Sequence, residues 1–254
     1  MKRVVVMSDP HCGQEFGLTH PDFDSRPNDI DSIRYRAYRL RAKMWEWYRD
    51  KLAVLQPIHV LLDLGDNIDG KGEKSAGNEL ILPKLEDQCE CASACILEAK
   101  AKRIFMVRGT PYHVGKDNCE DGIAKAVKAE KIGDHDYISV NGCVFDYAHA
   151  ISRSETALTR ERVTNLLWSE HDEFPKANVI LRGHQHYSLF VGEAGNWLSM
   201  IAPGLQLSSK FGRTIAKRVI HFGLVWFDVQ DDGQYSFNVE IKYLRRAKDE
   251  LIVV

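Results

Sequence analysis

The sequence predicts an α/β fold in which two packed, mixed β-sheets are flanked by helices. Short β-branched runs alternate with helix-spaced segments over the first part of the chain, in the order β-α-β-α-β-α. The remainder reads almost entirely as strands, and no repeat, low-complexity tract or linker interrupts it. An alternating half joined to a β-rich half needs two apolar sheet faces covered, which a layered architecture provides. Residues 1–254 are expected to form one domain.

The elements follow in order. Lys2 to Met7 is a buried strand, followed by a long polar stretch from Pro10 to Asn28; loops of that length often carry function. Asp29 is placed to cap a helix in which Ile30, Ile33, Ala37, Leu40, Met44, Trp47 and Leu55 recur at helical spacing, closed by Pro57. Ile58 to Leu64 is the second strand. A helix over about 83–102 follows, with Cys89, Ala92, Ile96 and Ala99 on its apolar face. The third strand is Arg103 to Arg108, and residues 119–130 read as a helix. Asn141-Gly142 between Tyr137–Val140 and Cys143–Tyr147 is a strong hairpin signal. Ser152 and Glu155 form a capping box for a helix near 154–171. Strands are expected at Asn178 to Arg182 and at about 187–192, 196–201, 219–229 and 235–243, with a turn at Asp232-Gly233.

Composition narrows the classes. The 254 residues are 44% hydrophobic and 28% charged, a balance that buries a core. No window approaches the ~18 apolar residues of a membrane span, and the basic start lacks a secretory apolar stretch. A cytoplasmic protein with no membrane partner is expected. The formal net charge of −2 gives no overall footprint for nucleic acid, which leaves only local basic clusters. The six cysteines are expected to be free thiols, because the chain is long and lacks a secretory signal, and the tightest group, Cys89, Cys91 and Cys95, has neither the Cys-x-x-Cys spacing nor the fourth ligand of a zinc site.

The chemistry sits at strand ends. Asp9 and His11, Asp66, and His184 with His186 each follow a strand in a short loop, and His149 closes another strand. Ligands gather beyond the carboxyl ends of strands in open α/β sheets, so these loops can converge. Each alone reads as an ordinary turn or a structural histidine. Together, two carboxylates and four histidines are too costly to collect in a partly buried pocket without a cation. Mixed imidazole and carboxylate donors suit manganese, iron or zinc rather than calcium. Two such ions, ~3.5–4 Å apart, would activate a bridging water and clamp a phosphoryl group.

Asp9-Pro-His11, Gly65-Asp66-Asn67-Ile68-Asp69, His149 and Gly183-His184-Gln185-His186 together resemble the calcineurin-like metallophosphoesterase family, over roughly residues 4–190. The resemblance implies a four-layer αββα sandwich and dinuclear, metal-dependent phosphoester hydrolysis, with manganese the expected ion. It would give one metal Asp9, His11 and His186, the other His149 and His184, with Asp66 bridging. The third loop departs from the family's Gly-Asn-His-Asp/Glu: here it reads Gly109-Thr110-Pro111-Tyr112-His113. Thr110 stands where the amide ligand should be, and His113, the candidate acid for the leaving group, arrives two residues late. Asn118 is an alternative amide ligand.

Other candidates surround this set. Cys12 follows His11 and stands beside the proposed metals. Asp69 is expected to hydrogen-bond within its loop or to orient a metal-bound histidine. Arg108, Lys116 and Arg182 are placed to hold a substrate phosphate. Arg34, Arg36, Arg39, Arg41 and Lys43, with Tyr35, Tyr38 and Trp45 interleaved, form either a solvated face or a phosphate-contacting patch. Lys210, Arg213, Lys217 and Arg218 rim the cleft or solvate a loop. A phosphodiester such as nucleic acid or a nucleotide is the expected substrate class. A phosphomonoester is the second reading, and a metal- or partner-binding protein without catalysis the third.

Overall fold

A computed structural model describes residues 1–72, 76–114, 119–151, 160–174, 176–193, 196–208 and 219–244. Six strands form one sheet: β1 (Lys2–Met7), β2 (Val60–Asp63), β3 (Arg103–Val107), β4 (Lys131–Gly133), β10 (Gly223–Val229) and β11 (Tyr235–Ile241), ordered β11-β10-β1-β2-β3-β4. The other has five, β5 (His135–Val140), β6 (Cys143–Ala148), β7 (Val179–Arg182), β8 (Leu189–Glu193) and β9 (Trp197–Ile201), ordered β5-β6-β7-β9-β8. β1 to β4 run parallel, as do β6, β7 and β9, while β5, β8, β10 and β11 pair antiparallel.

Strand alternation builds the layers. Val4 and Val6 of β1 meet Phe145, Leu181, Met200 and Phe227 between the sheets, while Val5 and Met7 face the helices. That second face is covered by α1 (Ile33–Val54), α2 (Leu85–Leu97) and α4 (Cys119–Ala126). The outer face of the five-stranded sheet is covered by α5 (Arg160–Glu173), whose Val163 and Leu167 pack with Tyr187 and Ile201. Each fully buried aliphatic or aromatic side chain contributes about 1.5–3 kcal/mol. The result is the expected pair of mixed sheets between helices.

Several local expectations shift. The cap of α1 is Ser32, whose hydroxyl accepts from the Tyr35 N–H, and Asp29 lies further out. In α2 the buried thiols are Cys91 and Cys95, with Cys89 half-buried at the edge. β4 was not expected; its short polar run is held by pairing with β3. The Asn141-Gly142 turn connects β5 and β6, with both residues at positive φ (50° and 92°), the geometry of a type I′ hairpin. Ser152, Glu155, Lys116, Asn118, Lys210, Arg213, Lys217 and Arg218 lie outside the described residues. No helix among the described residues is long and apolar enough to cross a membrane.

Candidate metal centre

Because β1, β2 and β3 are parallel and β6 and β7 are parallel, their carboxyl ends collect at one edge of the sandwich. The loops then lace together. Asp9 N donates to Gly65 O at 3.0 Å, His11 N to Asp66 O at 3.1 Å and Cys12 N to Asn67 O at 3.0 Å, so the ladder continues past the strands. Across the sheets, Leu205 N donates to Ser8 O at 2.9 Å and His184 N to Asp9 Oδ2 at 3.0 Å. Asp9, His11, Asp66, His184 and His186 all adopt positive φ, between 43° and 66°. For residues with a Cβ this costs ~1–2 kcal/mol each, and such strain collects at functional loops. Two glycines let the loops close. A Cβ at Gly109 would collide with the Asp66 carboxylate, and one at Gly183 with the Ser8 hydroxyl.

Three groups of three donors result, and the third, His11, Asp69 and His113, shares His11 with the first. In the first, Asp9, His11 and His186 converge: His186 Nε2 lies 3.3 Å from Asp9 Oδ1 and 3.3 Å from His11 Nε2, and His11 Nε2 is 4.0 Å from Asp9 Oδ1. Donors ~2.1 Å from one ion stand ~3–3.5 Å apart, so the set fits a cation with little movement. Asp9 Oδ1 is buried without a hydrogen-bond partner among the described residues. In the second group, Asp66, His149 and His184 converge, with His149 Nε2 3.0 Å from Asp66 Oδ2. His149 Nδ1 donates to Leu64 O at 2.6 Å, which aims Nε2 at the carboxylate. Either group could hold a divalent ion.

Electrostatics point the same way. Burial works against the charged forms of Asp9 and Asp66. His186 and His149 nevertheless hold Asp9 below its usual range, and His149 and His113 do so for Asp66. Burial also opposes charge on His149, but Asp66 and then Asp9 push it up to about 10. His184 goes the other way, down to about 4, through burial and the neighbouring His149 charge. Its lone pair is therefore available at neutral pH. Two carboxylates this deep require nearby positive charge, which imidazolium or a divalent cation can supply.

The third loop forms one helical turn, α3 (Pro111–Val114), with His113 N donating to Thr110 O at 3.0 Å. That turn swings His113 inward despite its late position. Its ring lies edge-on to His11, centroids 4.6 Å apart, and Nδ1 is 3.1 Å from Asp69 O. Asp69 also reaches His11, with Oδ1 3.3 Å from Nδ1. Thr110 turns to Asp66: its N–H donates to Oδ1 at 2.6 Å, and its hydroxyl to the same oxygen at 3.0 Å.

Two expected phosphate ligands point elsewhere. Leu181 faces the inter-sheet core, so Arg182 must face α5; it is 1% exposed and bound to Asp146 and Glu170. Arg182 is therefore corrected from a substrate residue to a buried ion-pair partner. Val107 likewise turns Arg108 toward α4, where it binds Asp121 and Asp134. Arg41 is buried against Asp24 and the Glu15 carbonyl, and Trp45 enters the core, which breaks up the basic patch on α1. Arg34, Arg36, Arg39 and Lys43 stay exposed.

Two anchors were not read from the sequence. Ser8 donates its hydroxyl to Asp9 Oδ2, and its place next to Asp9 was a readable signal. Glu120, from α4, accepts from Asn67 N at 2.9 Å, Asn67 Nδ2 at 3.0 Å and Gly109 N at 2.6 Å, tying the second and third loops together. Nothing near Glu120 in sequence marks it. Glu120→Gln presents an amide N–H to donors that need an acceptor. It should cost about 1–3 kcal/mol of unfolding free energy and weaken manganese binding. Chemical denaturation checks this, and unchanged stability would remove Glu120 as the anchor.

No family model matches the chain, and no curated protein matches it. Among solved structures, wild-type Vps29 complexed with Zn²⁺ from Entamoeba histolytica is 12% identical, covering 94% of this chain and 98% of its own, with a TM-score of 0.46. A novel archaeal phosphodiesterase is 12% identical, covering 94% and 99%, with a TM-score of 0.47. A predicted phosphoesterase from Streptococcus pneumoniae is 12% identical, covering 95% and 98%, with a TM-score of 0.39. Identities and scores this low carry no functional argument.

Proposed function

We propose that the protein hydrolyses phosphoester bonds, preferring diesters, with two divalent ions, manganese the favoured pair. The observation that supports this most is the side-by-side convergence of Asp9, His11 and His186 with Asp66, His149 and His184. Ions held there would activate water and neutralise charge on a phosphoryl group. The chain's own residues do the rest. Thr110 fixes the Asp66 carboxylate beside His149 and His184, from where it would bridge the ions, and Asp69 orients His11. His113 Nδ1 is held to Asp69 O at 3.1 Å, so Nε2 is the nitrogen that would deliver a proton to the departing oxygen once the ring is protonated, against the burial that lowers its pKa.

The diester preference follows from charge. Arg108 and Arg182, the arginines that precede the third and fifth ligand loops, are engaged with carboxylates. That suits a singly charged diester better than a doubly charged monoester. Arg34, Arg36, Arg39 and Lys43, the exposed remainder of the basic run on α1, are the residues that would contact a nucleic-acid or nucleotide diester. The test is turnover of bis-p-nitrophenyl phosphate, p-nitrophenyl phosphate and single-stranded DNA with manganese. Cleavage of the diester and not the monoester is expected. Metal binding without turnover of any substrate would favour the non-catalytic reading, which Thr110 in place of an amide ligand supports.

Thr110 has a second consequence. Its hydroxyl and N–H serve Asp66, so the His149–His184 group has fewer donors of its own. Manganese titration of the apo protein should resolve two affinities, separated by about 10–100-fold, the scale of losing one supporting group. His186→Ala should abolish the tighter one. Equal affinities, or loss of the weaker one, would overturn this assignment.

A further inference from the structure

Three thiols lie apart from the chemistry proposed above. Cys12, Cys91 and Cys95 are each 0% exposed, and their sulfurs lie within 4.8 Å of one another. Cys12 comes from the loop after β1, and the other two from successive turns of α2. Spacing along the chain hides this trio, because the third member arrives only through the fold. All three are free thiols.

We propose that Cys12, Cys91 and Cys95 form a separate site for a soft, thiophilic cation, with cuprous ion the best fit. Three sulfurs ~2.3 Å from a common centre in one plane stand ~4.0 Å apart. Cys12 Sγ and Cys95 Sγ are 4.0 Å apart. That separation is about twice the ~2.05 Å of a disulfide, and all three sulfurs are present as free thiols.

The donor set selects the ion. It consists of thiols alone, and soft sulfur ligands select Cu(I) or zinc. Structural zinc takes four ligands, and among the described residues no histidine or carboxylate joins this trio. Cuprous ion accepts three. One of the three sulfurs is prepared for anionic character, since His20 N donates to Cys91 Sγ at 3.4 Å, while burial pushes the Cys12 and Cys95 thiols up. Hydrogen bonds with Cys12 and Cys95 lower the Cys91 thiol to about 4, against the effect of burial. On binding, each remaining thiol gives its proton to solvent. Met7 and Ile96 share the surrounding apolar core, which shields the ion from water. Because Cys12 follows His11, an ion here ties the first ligand loop to α2.

The test titrates the full-length protein anaerobically with Cu(I), supplied as its acetonitrile complex. The readouts are thiolate-to-copper ultraviolet absorption and the luminescence of a water-shielded copper–thiolate centre. Saturation at one equivalent per chain is expected, and Asp66→Asn should leave it unchanged, because that carboxylate belongs to the other centre. Cys91→Ala and Cys95→Ala should each weaken binding at least tenfold. Cys89→Ala with Cys119→Ala, the other neighbouring thiols, should leave it intact. Absence of the signal in the unaltered protein would overturn the proposal whatever the variants do. So would its survival in Cys91→Ala/Cys95→Ala, or its loss with Cys89 and Cys119.

Discussion

Asp66→Asn should lower diester turnover by about three orders of magnitude and empty both donor groups of metal, with the fold retained. The carboxylate is 1% exposed and lies 3.0 Å from His149 Nε2. Both Thr110 donors point at it, and the charges of His113 and His11 act on it. Asparagine has the same shape and keeps an acceptor for the Thr110 N–H, so packing survives while the negative charge goes. A metal site supplies several kcal/mol of charge stabilisation, and each 1.36 kcal/mol is a factor of ten in rate. Metal analysis, diester turnover and circular dichroism on one preparation test this. Wild-type metal content and rate would overturn the bridging role proposed for Asp66.

His113→Ala should cost about 10²–10⁴-fold for a poor leaving group such as a nucleoside, the scale of a positioned acid. With p-nitrophenolate, which departs unprotonated, the loss should be small, and metal content should barely change. The ring lies edge-on to His11 and its Nδ1 is 3.1 Å from Asp69 O, which leaves Nε2 as the nitrogen available for substrate. Burial outweighs the Asp66 charge and lowers its pKa, so an approaching phosphate anion is needed to load the proton. If His113 is a ligand instead, the variant loses an ion and suffers equally with both leaving groups. A purely structural residue would leave both rates intact.

The strand-end loops that carry Asp9, Asp66 and His184 were legible because strand ends and tight turns are local features, each readable within about ten residues. The hairpin at Asn141-Gly142 was legible for the same reason. Arg182 was misread because it ends the strand that leads into His184 and His186, and nearness to that loop does not fix which face its side chain takes. Counting alternation from Leu181 would have turned it toward α5. The inward swing of His113 had a signal in Pro111, which favours the first position of a helix. Glu120 and the Cys12–Cys95 approach had none, since both depend on helices packing onto loops far away in sequence.

The most direct test of a two-metal centre is a crystal structure of the manganese-loaded protein with anomalous scattering recorded at the manganese edge. Two peaks are expected, one among Asp9, His11 and His186 and one among Asp66, His149 and His184, with the Asp66 carboxylate touching both. A single peak, or peaks away from these six side chains, would contradict the centre proposed here.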